Sequence, residues 1–144
     1  PTAEFNIWAD ADAAQLVLNS GLDLTMVGLD VTQNMKLEPE DISSLAGGDA
    51  AAQGAAQMIE YIVRSEGEYP LHDPLAFTAA VLPELFVFET VPVTIETRGS
   101  LCRGQTIADY SDQGSPGKVK VAREAAYSDC RDFLMNLWLN TPDK

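Results

Sequence analysis

The chain has 144 residues, 46% of them hydrophobic, which is enough for a single domain with a buried core. Twenty-two acidic residues against nine basic ones give a formal charge of -13, a field that repels polyphosphate backbones and anionic headgroups and so argues against nucleic acid and membranes as partners. The two cysteines, Cys102 and Cys130, have neither CxxC spacing nor a companion histidine pair, and no apolar run approaches the roughly 18 residues of a spanning helix, so the expected setting is the reducing cytosol.

Asp10-Ala11-Asp12 leads into Ala13, Leu16 and Val17 at helical spacing, and Asn19-Ser20-Gly21 closes the segment, so a short helix is expected over Asp10 to Ser20. Leu24 to Leu29 is a nearly continuous apolar run of strand length, suited to a parallel strand covered on both faces. Leu37 to Leu45 carries Pro39, Glu40 and Asp41 at its front, which favours a brief helix. Asp49 to Arg64 repeats Met58, Ile59, Ile62 and Val63 at helical intervals and should form a long helix ending near Gly67.

Pro74 fits the first turn of a further helix through Phe77 and Val81, with Asp73 as its N-cap. Val87 to Glu89 and Val91 to Thr97 alternate with period two, as antiparallel strands do. Gly99, Gly104, Gly114, Pro116 and Gly117 punctuate the connections, and Lys118 to Val121 is a short strand. Ser128 to Asn140 is expected as a terminal helix with Phe133, Leu134, Leu137 and Trp138 on its buried face, followed by the tail Thr141 to Lys144. With no repeat or linker, the chain reads as one contiguous piece. Its start at Pro1, together with a single clear parallel-type strand, leads to the expectation of a sheet whose other strands lie outside the chain.

In an extended segment, Glu4 and Asn6 point the same way and Phe5 the other, a pair able to accept from and donate to a sugar diol; by spacing alone, an exposed strand edge is the commoner meaning. His72-Asp73 holds the only histidine. Such a dipeptide usually marks a helix start, and less often a general acid beside a metal- or hydroxyl-binding carboxylate. Asp10-x-Asp12 lacks the glycine and distal glutamate of a calcium loop, and its acids fit a helix N-terminus instead. No phosphate-binding glycine loop or nucleophile elbow is present.

Four stretches in order carry a resemblance: Ala3-Glu4-Phe5-Asn6-Ile7 with Asp10 to Ala14; Leu24 to Thr32; Leu71-His72-Asp73-Pro74-Leu75-Ala76; and Thr97-Arg98-Gly99 with Arg103-Gly104-Gln105-Thr106. Together they resemble the inosine-uridine preferring nucleoside hydrolase family. The resemblance implies an α/β fold with an open, mainly parallel sheet flanked by helices and an antiparallel strand excursion, of which residues 1–144 form the C-terminal portion of one domain, the N-terminal half being absent. It implies a Ca2+-dependent hydrolase of ribonucleosides acting in purine or pyrimidine salvage, with Glu4, Asn6 and Asp73 on the ribose, Asp73 also on Ca2+, and His72 as leaving-group acid. All four are expected to converge on one cleft at the C-terminal edge of the parallel strands.

The family's Asp-x-Asp-x-x-x-Asp-Asp motif, which supplies most metal carboxylates and the water-activating base, has no counterpart here. The chain alone is therefore expected to be inactive, with the missing N-terminal half as its partner; a family derivative that binds ribose or assembles without catalysing is the alternative. Tyr61, Arg64 and Tyr69 are candidate base contacts, although Tyr61 reads first as helix packing, and they do not decide between purine and pyrimidine. Self-association is open, since the family forms dimers and tetramers.

Overall fold

The computed structural model describes residues 2–67, 69–111 and 118–140. Gly114, Pro116, Gly117 and the tail Thr141 to Lys144 lie outside the described residues. The chain divides into two compact units, Pro1–Gly28 with Phe88–Ala122, and Leu29–Val87 with Arg123–Lys144.

The first unit opens with two short helices, α1 (Phe5–Ala9) and α2 (Ala11–Leu18). Asp10 ends the one and caps the other, its Oδ1 accepting the Ala13 N–H at 2.9 Å. This satisfies a donor that the first turn cannot pair internally. A four-stranded sheet follows, in the order β1 (Thr25–Met26), β4 (Lys118–Ala125), β2 (Phe86–Ile95), β3 (Thr106–Ala108). β1 runs parallel to β4, with Thr25 opposite Lys120, whereas β2 and β3 are antiparallel, with Val93 opposite Ala108.

The sheet is thus mixed, but the expected strand over Leu24 to Leu29 shrinks to two residues because Leu29 already begins a helix. The two strands expected around Val87 and Val91 form one continuous strand. Pro92 interrupts nothing on its acceptor side, its carbonyl taking the Asp109 N–H at 2.9 Å. Val91, Val93 and Ile95 are buried at every second position, and Val91 and Val93 share a core with Val119 and Val121 that Leu18, Leu24 and Met26 partly cover. Gln15 ties α2 to this sheet: its Oε1 accepts from Thr94 Oγ1 at 2.9 Å and from the Ile95 N–H at 2.6 Å.

The second unit holds α3 (Leu29–Thr32), α4 (Pro39–Ala46), α5 (Ala50–Glu66), α6 (His72–Val81) and α7 (Tyr127–Leu139). α4 packs against α5 and α7, and α6 against α3 and α7. α5 begins where Asp49 accepts the Ala52 N–H and stops at Gly67, whose φ of 87° suits the left-handed closing position. Its buried residues Ala52, Ala56 and Ile59 recur at four and three, and they meet Leu45 and Met135 with Leu37, Ile42, Val63, Tyr69 and Trp138 around them. In α7 the buried residues are Cys130, Leu134 and Met135, while Leu137, expected inside, is 46% exposed. Burial, and after it the Asp129 carboxylate, push the Cys130 thiol up from its ordinary value.

Candidate functional site

Glu4 and Asn6 do meet, but not by strand alternation. Glu4 is the N-cap of α1: its Oε1 accepts the Asn6 N–H at 3.1 Å and the Asn6 Nδ2 at 3.0 Å, and its Oε2 accepts the Ile7 N–H at 3.2 Å. A carboxylate able to satisfy two orphan amides turns the segment helical, which corrects the extended reading. Phe5 is 72% exposed, so burial of its ring does not hold the segment extended. The outcome is a carboxylate and an amide on one small surface, with Asn6 Nδ2 fixing the relation between the two side chains.

The loop from Glu96 to Gln105 props this helix. Gly104, at φ 89°, approaches so closely that a Cβ there would lie 2.9 Å from Trp8 Cα and 3.0 Å from Ala3 Cβ. Only glycine meets both demands. Its neighbour Arg103 places Nη2 3.1 Å from Asp12 Oδ2. Glu96 closes the loop from within: its Oε1 accepts the Arg98 N–H at 2.7 Å and the Gly99 N–H at 2.9 Å. Those two backbone bonds, with the Arg98 charge as a smaller contribution, hold the Glu96 carboxyl below the usual carboxylate range.

In the second unit the segment after α3 is zipped to the segment before α6. Leu71 N–H donates to the Met35 carbonyl at 2.8 Å and Lys36 bridges Pro70, while the Met35 and Leu71 side chains are both buried. The zipper brings Thr32 to His72, with Oγ1 and Nδ1 2.8 Å apart. Thr32 is 2% exposed and His72 half-buried. Asp73 is not the cap expected of it: α6 starts at His72, with Leu71 at the N-cap position and no side-chain cap bond. Pro74 still lies within the first turn, where its missing N–H leaves no helical bond unmade. Released from capping, the Asp73 carboxylate is exposed and makes no hydrogen bond to a described residue.

Glu4 and Asn6 therefore belong to the first unit and His72 and Asp73 to the second. Among the described residues no group of three or more His, Cys, Asp or Glu side chains is placed to hold a metal ion. Asp73 offers at most two oxygens where Ca2+ takes about six to eight, so Asp73 by itself could not complete a calcium site. Of the candidate base contacts, Tyr69 packs on the core and Arg64 pairs with Glu60 at 3.3 Å. Tyr61 is 75% exposed and, with Met58 and Ile62, lines an open depression of about 500 Å³, which corrects its reading as helix packing.

The family model described as inosine-uridine preferring nucleoside hydrolase matches residues 1–132. The chain belongs to this family. Among similar nucleoside hydrolases, the uridine nucleosidase 1 of Arabidopsis thaliana is 37% identical over 76% of this chain and 34% of its own length. The pyrimidine-specific ribonucleoside hydrolase RihA of Shewanella woodyi is 36% identical over 84% of this chain and 42% of its own. A purine-preferring ribonucleoside hydrolase from Gardnerella vaginalis shares the fold with a TM-score of 0.83 and 30% identity, over 94% of this chain and 46% of that one. The chain thus spans less than half the length of these nucleoside hydrolases.

Sequence reasoning gives Thr32 and Glu96 no role and reads Gly104 only as a glycine of a connection and part of a family stretch. Thr32 and Gly104 stand inside the quoted family stretches, which was the available signal. The neighbours of Thr32 and Gly104 lie too far along the chain for spacing to reveal them, 40 residues in the case of Thr32 and His72, whereas Glu96 bonds to Arg98 and Gly99 close by.

Proposed function

We propose that this chain contributes to hydrolysis of the N-glycosidic bond of ribonucleosides in the cytosol. Glu4, Asn6 and Asp73 contact the ribose hydroxyls, His72 is the leaving-group acid, and Ca2+ is the cofactor of the assembled fold with Asp73 as one of its ligands. The observation that carries this reading is the family match over residues 1–132, which includes all four side chains. Glu4 and Asn6 support it as a bonded carboxylate–amide pair, and Asp73 as an exposed, uncommitted carboxylate next to a ring-anchored histidine.

The chemistry suits these groups. As the C1′–N bond breaks, its electron pair leaves with the base while the ribose ring gains positive charge, and water bonds to C1′. Carboxylates beside the ribose favour that charge distribution, and a proton delivered to the departing nitrogen completes the base. The share of each relative that this chain does not match would supply the remaining metal ligands and the base that activates water.

The test is made in a chimaera joining this chain to the part of Shewanella woodyi RihA that it does not match. Asp73→Ala is expected to weaken Ca2+ binding and turnover together. His72→Ala is expected to lower inosine or uridine turnover by about 10² to 10⁴ with Ca2+ binding unchanged. On p-nitrophenyl riboside, whose leaving group needs little protonation, His72→Ala should recover most activity and Asp73→Ala should not. Equal losses on that substrate, with unaltered Ca2+ affinity in both, would show that the acid and the ligand are wrongly assigned.

A further inference from the structure

Thr32 and His72 form an isolated polar pair beside an apolar core. Thr32 Oγ1 lies 2.8 Å from His72 Nδ1, and no other hydrogen bond joins the Thr32 hydroxyl to a described residue. Two arrangements are open to such a pair. If Nδ1–H donated, the hydroxyl oxygen would accept and its own proton, on a residue 2% exposed, would be left without an acceptor. If the hydroxyl donates, the proton is satisfied, and what remains is an incompletely used oxygen lone pair. A buried donor without a partner is the rarer and costlier defect.

We infer that the Thr32 hydroxyl donates to Nδ1 and thereby fixes the neutral His72 ring as the Nε2–H tautomer, which makes Thr32 a positioning residue that leaves Nε2–H as the ring's free hydrogen-bond donor. The hydroxyl here selects the tautomer, the role a carbonyl or carboxylate plays for histidines held in the opposite sense. It places the one N–H of the neutral ring on the nitrogen that Thr32 does not touch, where it can donate a hydrogen bond to a departing base; outright proton transfer takes the doubly protonated ring, in which the Thr32 oxygen accepts from Nδ1–H. Its bearing on catalysis rests on the reading of His72 as the leaving-group acid, while the tautomer does not.

Because the chain contains a single histidine, its ring nitrogens can be read without ambiguity by nitrogen-15 NMR of the labelled 144-residue protein. The spectrum is taken at about pH 9, where an ordinary imidazole is neutral. Wild type should show a protonated-type resonance at Nε2 and an unprotonated-type resonance at Nδ1. Thr32→Ser should keep that pattern, and Thr32→Val should shift both nitrogens toward the averaged positions of a mixed tautomer. A wild-type Nδ1–H pattern, or a Thr32→Val spectrum identical to wild type, would overturn the inference. Should Thr32→Val fail to fold, the wild-type and Thr32→Ser spectra still decide the tautomer. Loss of the activity contrast between the His72 and Asp73 variants, with the tautomer intact, would refute the proposed function and leave this inference standing.

Discussion

Both carboxylate oxygens of Glu4 already accept hydrogen bonds within α1, so this residue serves structure and, in the proposed function, ribose at once. The two roles separate by substitution. Glu4→Ala removes the cap and should lower stability by about 0.5 to 2 kcal/mol, whereas Glu4→Gln keeps one acceptor oxygen and should lower it less. Thermal unfolding of the two variants checks this order, and an equal fall in both would mean that the carboxylate charge, and not the acceptor, holds the turn. The pairing of Glu4 with Asn6 was legible in the sequence, though for a mistaken geometric reason. A spacing of two places side chains together in a strand, and here a cap brings them together at the start of a helix. Thr32 was not legible as the partner of His72, because the zipper through Met35 and Leu71 that unites them is made of backbone bonds.

The elements with their own strong periodicity were the legible ones. α4, α5 and α7 follow from apolar spacing with Pro39, Asp49 and Gly67 as punctuation, and β2 from its alternation. β1 was overdrawn, since a run of apolar residues does not say where strand ends and helix begins, and α1 was missed because its cap is a glutamate. The loop that props α1 yields two predictions. Gly104→Ala would force a side chain into a left-handed conformation and against the Trp8 backbone, at a cost of about 1 to 3 kcal/mol or more. Faster amide exchange in α1, together with a lower melting temperature, would report it; unchanged exchange would mean that the loop does not hold the helix. Glu96 has a depressed folded pKa, so its contribution to stability is present above the ordinary carboxylate range and is lost as the pH falls through the lower folded value. The stability difference between wild type and Glu96→Gln should be flat above about pH 5 and shrink in more acid solution. A gap that widens as acid is added would contradict the assignment.

For the whole molecule, the α/β class, the mixed sheet and the family were all legible, because four motifs in chain order constrain a fold more tightly than any one of them. The base specificity was not legible. The relatives include enzymes described as pyrimidine-specific and as purine-preferring, and Tyr61, the exposed candidate, stands on a surface and not in a formed pocket. The chain matches 42% of the Shewanella woodyi enzyme, and its described residues bring no three metal-ligating side chains together. The proposed catalysis therefore calls on the remainder of a family fold as well as on this chain. The direct measurement is the release of free base from inosine and uridine by the 144-residue chain and by the chimaera with Shewanella woodyi RihA, each with Ca2+ and after chelation. The account predicts no turnover by the chain alone and turnover by the chimaera that chelation abolishes and Ca2+ restores. Steady base release by the pure 144-residue chain, or release by the chimaera that survives chelation, would contradict it.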